Sequence, residues 1–220
     1  MRKILAAVFL ISILYSCKQK TMQVKSFYDH EGKILKEEYT VLSDSPEIRN
    51  GIYSLYNQSG KIIEVRNYLH NQLTDTLRRF YDEGIVSEEC IYKNNEINGY
   101  RKLFYKNGKV MNHETYLNGN FDGAYHSYFE NGNKKEEGQY VSEVMQGMWK
   151  YFYETGELQQ EVEFADNMEN GFYKYYFKNG KIKEEGNYLY GKNEGIWKYY
   201  DETGIQIADT SWYEGYSVKK

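Results

Sequence analysis

Gly171-Phe172-Tyr173-Lys174-Tyr175-Tyr176-Phe177-Lys178-Asn179-Gly180-Lys181-Ile182-Lys183-Glu184-Glu185-Gly186-Asn187-Tyr188-Leu189-Tyr190-Gly191-Lys192-Asn193-Glu194 is one cycle of a pattern that fills most of the chain. Gly171 to Phe177 is dense in the aromatic residues that fit a pleated, half-buried surface. Lys178-Asn179-Gly180-Lys181 is a turn signal. Ile182 to Tyr188 is a second run of strand character, and Leu189 to Glu194, with Gly191 inside it, turns the chain into the next cycle. Each cycle therefore reads as two strands and two turns.

The period is 24 residues. Glycines recur at Gly60, Gly84, Gly108, Gly132, Gly156, Gly180 and Gly204, and again at Gly51, Gly99, Gly123, Gly147, Gly171 and Gly195, with Asp75 in the vacant slot. Tyr56, Phe80, Phe104, Tyr128, Phe152, Tyr176 and Tyr200 form an aromatic row, and Tyr68, Tyr92, Tyr116, Tyr140, Phe164, Tyr188 and Trp212 form another. Recurrent glycine and the missing apolar stripe of period 3.6 exclude long helices. The sequence predicts an all-β protein: an elongated single-sheet array of about seven 24-residue β-hairpin repeats over 51–218. A degenerate N-terminal repeat or cap is expected over 27–50, and a tether over 17–26. The only proline, Pro46, falls where the first full cycle runs four residues over the period.

Composition agrees with strands. Of 220 residues 25 are Tyr and one is Pro, and the net charge of -4 is spread evenly. The absence of a basic stripe argues against a nucleic-acid partner. Residues 1–16 read as an export signal: Arg2 and Lys3, then an apolar stretch from Ile4 to Leu14 that is too short to cross a bilayer core of roughly 30 Å as a helix. Leu14-Tyr15-Ser16-Cys17 resembles a bacterial lipobox, which implies cleavage before Cys17, acylation of that cysteine, and an exported chain held by lipid at a bacterial membrane, on the outer membrane or facing the periplasm. Cys90 is then the one thiol left, so no internal disulfide forms.

A type I turn closed by a glycine bulge suits all seven Gly60-type turns, because only the glycine needs positive φ. Counting alternation from that turn puts the Phe152 row, the aliphatic row (Ile62, Val86, Val110, Leu158, Ile182) and the Tyr188 row on one buried face. The opposite face would then carry Trp149, Tyr151, Tyr173, Tyr175, Trp197 and Tyr199. Large aromatics on a solvated face mark a binding site, so these six are the candidate recognition residues. The competing reading is that the sheet coils and buries them as core. A basic row (Arg78, Lys102, His126, Lys150, Lys174, Lys198) faces a row of acids, which implies a cross-strand ion-pair ladder worth a few tenths of a kcal/mol per rung.

The stretch Gly195-Ile196-Trp197-Lys198-Tyr199-Tyr200-Asp201-Glu202-Thr203-Gly204 resembles the MORN repeat in its bacterial variant form, and the resemblance covers roughly residues 23–218. The nearest named group is the YwqK-type antitoxin proteins. The resemblance implies a meander of β-hairpins, and the group name implies neutralisation of a toxin encoded nearby. The lipobox-like signal is a departure from a cytoplasmic antitoxin.

No catalytic constellation stands out. The four histidines show no metal-ligand spacing, the paired glutamates repeat across units where a catalytic pair would be unique, and no nucleotide or nucleophile motif occurs. The chain reads as a non-enzyme without cofactor or metal. The expected function is protein binding or scaffolding from a lipid anchor, with an antitoxin or immunity protein, or a surface glycan binder, as alternatives. If Cys17 is the acylated N-terminus, metabolic labelling with a palmitate analogue will mark the wild type and leave Cys17→Ala unlabelled; equal labelling of both refutes it.

Overall fold

The computed structural model describes residues 19–218; the export signal over 1–16 and Cys17 lie outside them. Seventeen strands form one sheet. The N-terminal strands are β1 (Thr21–Phe27), β2 (Leu35–Leu42), β3 (Ser45–Tyr56), β4 (Ile62–Leu69), β5 (Gln72–Phe80) and β6 (Val86–Lys93). The middle is β7 (Glu96–Phe104), β8 (Val110–Leu117), β9 (Asn120–Tyr128), β10 (Lys134–Val141), β11 (Val144–Phe152) and β12 (Leu158–Ala165). The array ends in β13 (Met168–Tyr176), β14 (Ile182–Leu189), β15 (Lys192–Tyr200), β16 (Gln206–Tyr213) and β17 (Tyr216–Val218). Each strand pairs antiparallel with its neighbours in sequence, so the sheet is an uninterrupted meander. At about 4.8 Å per strand, seventeen strands extend roughly 75–80 Å along the sheet.

Two turn geometries set the period. At the tip between β13 and β14 the Phe177 N–H donates to Lys181 O (2.8 Å) and the Gly180 N–H to Phe177 O (2.9 Å). Only the glycine has positive φ, at 80°. This is the expected type I turn with a glycine bulge. The other edge uses two-residue turns with both residues at positive φ, the type I′ geometry. Asp166-Asn167 (52°, 66°) and Tyr190-Gly191 (50°, 75°) are examples. Even Ser142-Glu143 is held there, at 49° and 70°.

Both edges are bonded from one hairpin to the next. At the type I′ edge the second turn residue donates its N–H to a carbonyl 22 residues earlier, as Asn95 does to Leu73 O (2.9 Å), and the Asn95 side chain accepts from the Leu73 N–H (2.7 Å). At the bulged edge Tyr81, Tyr105 and Tyr153 each donate a hydroxyl proton to a carbonyl 23 residues on (Phe104, Tyr128 and Tyr176, 2.7 Å each). Asn131 and Asn179 amides do the same for Glu154 O and Glu202 O.

The stretch expected as a tether contains β1, paired with β2 from Thr21↔Leu42 to Phe27↔Leu35. Its C-terminal part, residues 21–26, is therefore sheet, with Met22, Val24 and Ser26 on one side of the strand by alternation. The four extra residues of the first cycle do not make a loop. Three of them lengthen β3 to twelve residues against nine in β5, and the pairing there jumps from Val41↔Arg49 to Leu42↔Ser45. Pro46 sits in that irregularity, where its missing N–H breaks no ladder bond.

The expected assignment of faces is wrong for two of the rows. In β13 and β14 the pairing goes from Tyr175↔Glu184 to Tyr176↔Ile182, so Lys183 is an extra residue in a bulge. Alternation counted from Ile182 crosses that bulge and inverts. Tyr188 thus joins Glu184 and Gly186 on the face of Tyr173, Tyr175 and Trp197, while Tyr176 turns to the other side.

The resulting core lies on one face of the single layer. Trp149, Val162, Tyr173 and Trp197 are its buried centre, flanked by Tyr125, Tyr140, Phe164, Tyr188 and Trp212 among others. The Trp149 and Trp197 rings each lie over a glycine on the preceding strand: a Cβ on Gly138 would come within 2.2 Å of the Trp149 ring, and one on Gly186 within 2.4 Å of the Trp197 ring. Removing one whole unit, 147–170, puts Tyr173 over Gly138 and preserves strand order. That variant should remain folded and fully β by circular dichroism, one hairpin shorter. Removing only 147–158 inverts strand order and should abolish the β signal.

Candidate functional site

The six aromatics expected on a solvated face are core. Trp149 is 1% exposed and Trp197 3%, Tyr173 is buried, and Tyr151, Tyr175 and Tyr199 are half-buried against them. Tyr140 and Tyr188 meet the two indoles edge-on, at centroid distances of 5.2 and 5.1 Å. Burial and the Glu184 carboxylate beside it push the Tyr173 phenol far above its ordinary value. The sequence carried a signal for this that the spacing of turns did not use. Gly138 and Gly186 lie outside both glycine rows, are 48 residues apart, and each precedes a tryptophan by eleven residues. A glycine opposite a large ring is a packing pair.

In the N-terminal half the same face is filled by ions. Arg79 bonds Glu64 (2.7 Å) and Glu88, Arg101 bonds Glu88 (2.7 Å) and Glu114 (3.2 Å), and Arg66 pairs with Glu64. The three carboxylates are buried. Burial alone would raise the Glu88 carboxyl; the guanidinium groups of Arg101 and Arg79 outweigh it and hold the group below its usual range. Every guanidinium here already has its carboxylate, so the chain is structural. Cys90 lies beside it, buried, with its thiol pushed up to about 12 by burial and by Glu88. A thiol so rarely ionised is not a nucleophile.

The opposite, outer face carries the charge ladder. One residue per strand forms a line across the sheet, running Arg78, Glu89, Lys102, His113, His126, Glu137, Lys150, Glu161, Lys174, Glu185, Lys198, Asp209 as successive Cα partners. Ion pairs close at Arg78–Glu89 (2.6 Å), Lys150–Glu161 (3.6 Å) and Lys174–Glu185 (3.4 Å). Tyr176 and Tyr200 rise from the same face and donate their hydroxyls to Glu161 and Glu185 (2.7 Å each).

Two shallow depressions on this outer face share five equivalent lining positions, 48 residues apart. One, of about 260 Å³, is lined by Glu137, Gly138, Gln139, Met148 and Lys150, and also by His126. The other, of about 180 Å³, is lined by Glu185, Gly186, Asn187, Ile196 and Lys198, and also by Phe172. Each offers one acid, one base, one side-chain amide and one solvent-facing apolar side chain: Met148 is 40% exposed and Ile196 55%. Four strand spacings, about 19 Å, separate them. A larger cavity of about 590 Å³ lies between hairpin tips beside Tyr153 and Asn131, but both side chains are already bonded to the neighbouring hairpin. Among the described residues no group of three or more His, Cys, Asp or Glu is arranged around a common metal position.

A family model described as MORN repeat variant matches residues 49–70, 97–118, 121–142, 145–166 and 169–190, together half of the chain. Each match spans one hairpin and ends on its type I′ turn. No curated protein matches the sequence. Among solved structures, a chain in "Crystal Structure of TcdB2-TccC3" is 9% identical over 90% of this chain and 13% of that chain, with a TM-score of 0.18, a superposition too poor to bear on fold or function.

The double substitution Trp149→Ala with Trp197→Ala removes the centre of the packed face. Each change should cost about 3–5 kcal/mol, read as a large fall in melting temperature together with loss of the near-ultraviolet aromatic signal. An unchanged melting temperature would restore the solvated-face reading.

Proposed function

The chain belongs to the MORN repeat variant family, and from that premise we propose that it is a non-catalytic scaffold that holds a partner protein on its outer face. One observation carries the reading: the paired depressions at Glu137–Lys150 and Glu185–Lys198, alike in lining and set about 19 Å apart. The packed face is consumed by core, and both turn edges are consumed by hairpin-to-hairpin bonds. The outer face is left, with polar groups for orientation and Met148 and Ile196 as apolar contacts. Two equivalent sites on one rigid sheet favour a partner that engages both at once, since the second contact is then intramolecular.

In this reading the array is exported and tied to a bacterial membrane through acylated Cys17, a proposal that rests on residues 1–17 of the sequence. The anchor precedes the first strand by a few residues, which keeps the sheet near the membrane and leaves the outer face open to envelope proteins.

Met148→Asp with Ile196→Asp tests it. Both side chains are solvent-facing, so the melting temperature should move little. Capture of envelope proteins by the immobilised chain, read by mass spectrometry against wild type, should lose its specific component. Capture that survives the double change places the partner elsewhere.

A further inference from the structure

The charge line has one fault. From Arg78 to Asp209 bases stand on the first strand of each hairpin and acids on the second, except at His113. This residue occupies the slot that Glu89, Glu137, Glu161, Glu185 and Asp209 fill in the other units. Its Cα partners are Lys102 on β7 and His126 on β9, so three nitrogen bases stand side by side across β7, β8 and β9. The His113 ring meets Tyr100 edge-on at 6.0 Å and His126 at 6.2 Å. Lys102 Nζ sits 4.6 Å from the Tyr100 ring centroid, and the Tyr100 hydroxyl donates to Glu89 (2.7 Å). Beyond His126 the line resumes with Glu137 on β10 and Lys150 on β11. His126 Nδ1 is buried without a hydrogen-bond partner among the described residues.

We propose that this fault is an acid-sensitive seam: protonation at His113 sets a second cation beside Lys102, in a slot that also adjoins His126, and loosens the junction between β8 and β9, where the third hairpin unit meets the fourth. No acid stands within the trio to absorb the added charge. Glu89 flanks it on one side and is already engaged by Arg78 and Tyr100, and Glu137 flanks it on the other and is engaged by Lys134 (2.6 Å). In every other hairpin of the line from Arg78 to Asp209 a carboxylate occupies that slot, and protonation there would only remove an attraction. A repeat array transmits such a local loss poorly, because each unit contacts only its neighbours, so the opening is confined to this junction.

The sign follows from the direction of the shift. Burial, with Lys102 and His126 adding to it, holds the His113 imidazole below the ordinary histidine value. The unfolded chain therefore takes up the proton first. The contribution of neutral His113 is whole above the unfolded value of about 6.5 and is lost as pH falls through it toward the folded value. Glu89, held below the ordinary carboxylate range, acts in a separate and more acid window.

His113→Gln removes the titration, and His113→Glu restores the alternation. Melting temperature is followed from pH 7.5 to 5.5 for both variants and wild type. Wild type should fall by about 2–4 °C, the shift expected for a single perturbed charge in a chain of this size. His113→Gln should stay flat, and His113→Glu should stay flat or rise. A parallel fall in His113→Gln, or a flat wild type, overturns the proposal. Hydrogen exchange of wild type, corrected for intrinsic rates, gives an independent reading. Amides of β8 and β9 should lose protection at pH 5.5 before those of β13 and β14, and uniform loss along the array also overturns it.

Discussion

A sheet with no second layer must find its core within its own thickness. In most β proteins a sheet buries one face against another sheet or a helix. Here strands pair only with their sequence neighbours, so the side chains of one face must cover each other. Two different solutions occupy the two halves of that face. Toward the C-terminus flat indole rings fill the space above Gly138 and Gly186, with tyrosines packed edge-on around them. Toward the N-terminus a chain of guanidinium and carboxylate groups fills the same slots.

The two halves are not equal in energy. Burying an indole removes a large apolar area from water, and the aromatic contacts add to it. A buried ion chain must first offset the desolvation of each charge, and so contributes specificity of register more than net stability. The surface ladder on the other face is weaker again, since its members stay in contact with water. The aromatic half therefore holds the array together, and the ionic half keeps its strands in step.

Because packing, edges and register are settled by nearest neighbours, the outer face is free to vary. That freedom is visible where His113 stands in an acid's slot without disturbing the pairing on either side. It is visible again where Met148 and Ile196 project into water beside the Glu–Lys steps of the ladder. A rigid period of two strands converts such local choices into fixed separations, which is what a scaffold needs from a repeat.

The amino-acid sequence by itself determined the period, the all-β class and the bulged turn, because these depend on backbone conformations that few residues tolerate. Gly180 and its equivalents take the one positive φ of the turn, and no tertiary contact is needed to read that. It determined the ladder as well, since two rows of opposite charge in adjoining strands must face each other in either register. Which face is core was decided only in the folded sheet. The bulge at Lys183 adds one residue to one strand, and that inverts every side chain beyond it. The same inversion moved Trp149, Tyr173 and Trp197 from an expected recognition surface to the interior. The paired depressions were equally beyond reach of the sequence, because each is formed by residues from two strands whose distance depends on how a bulged sheet twists.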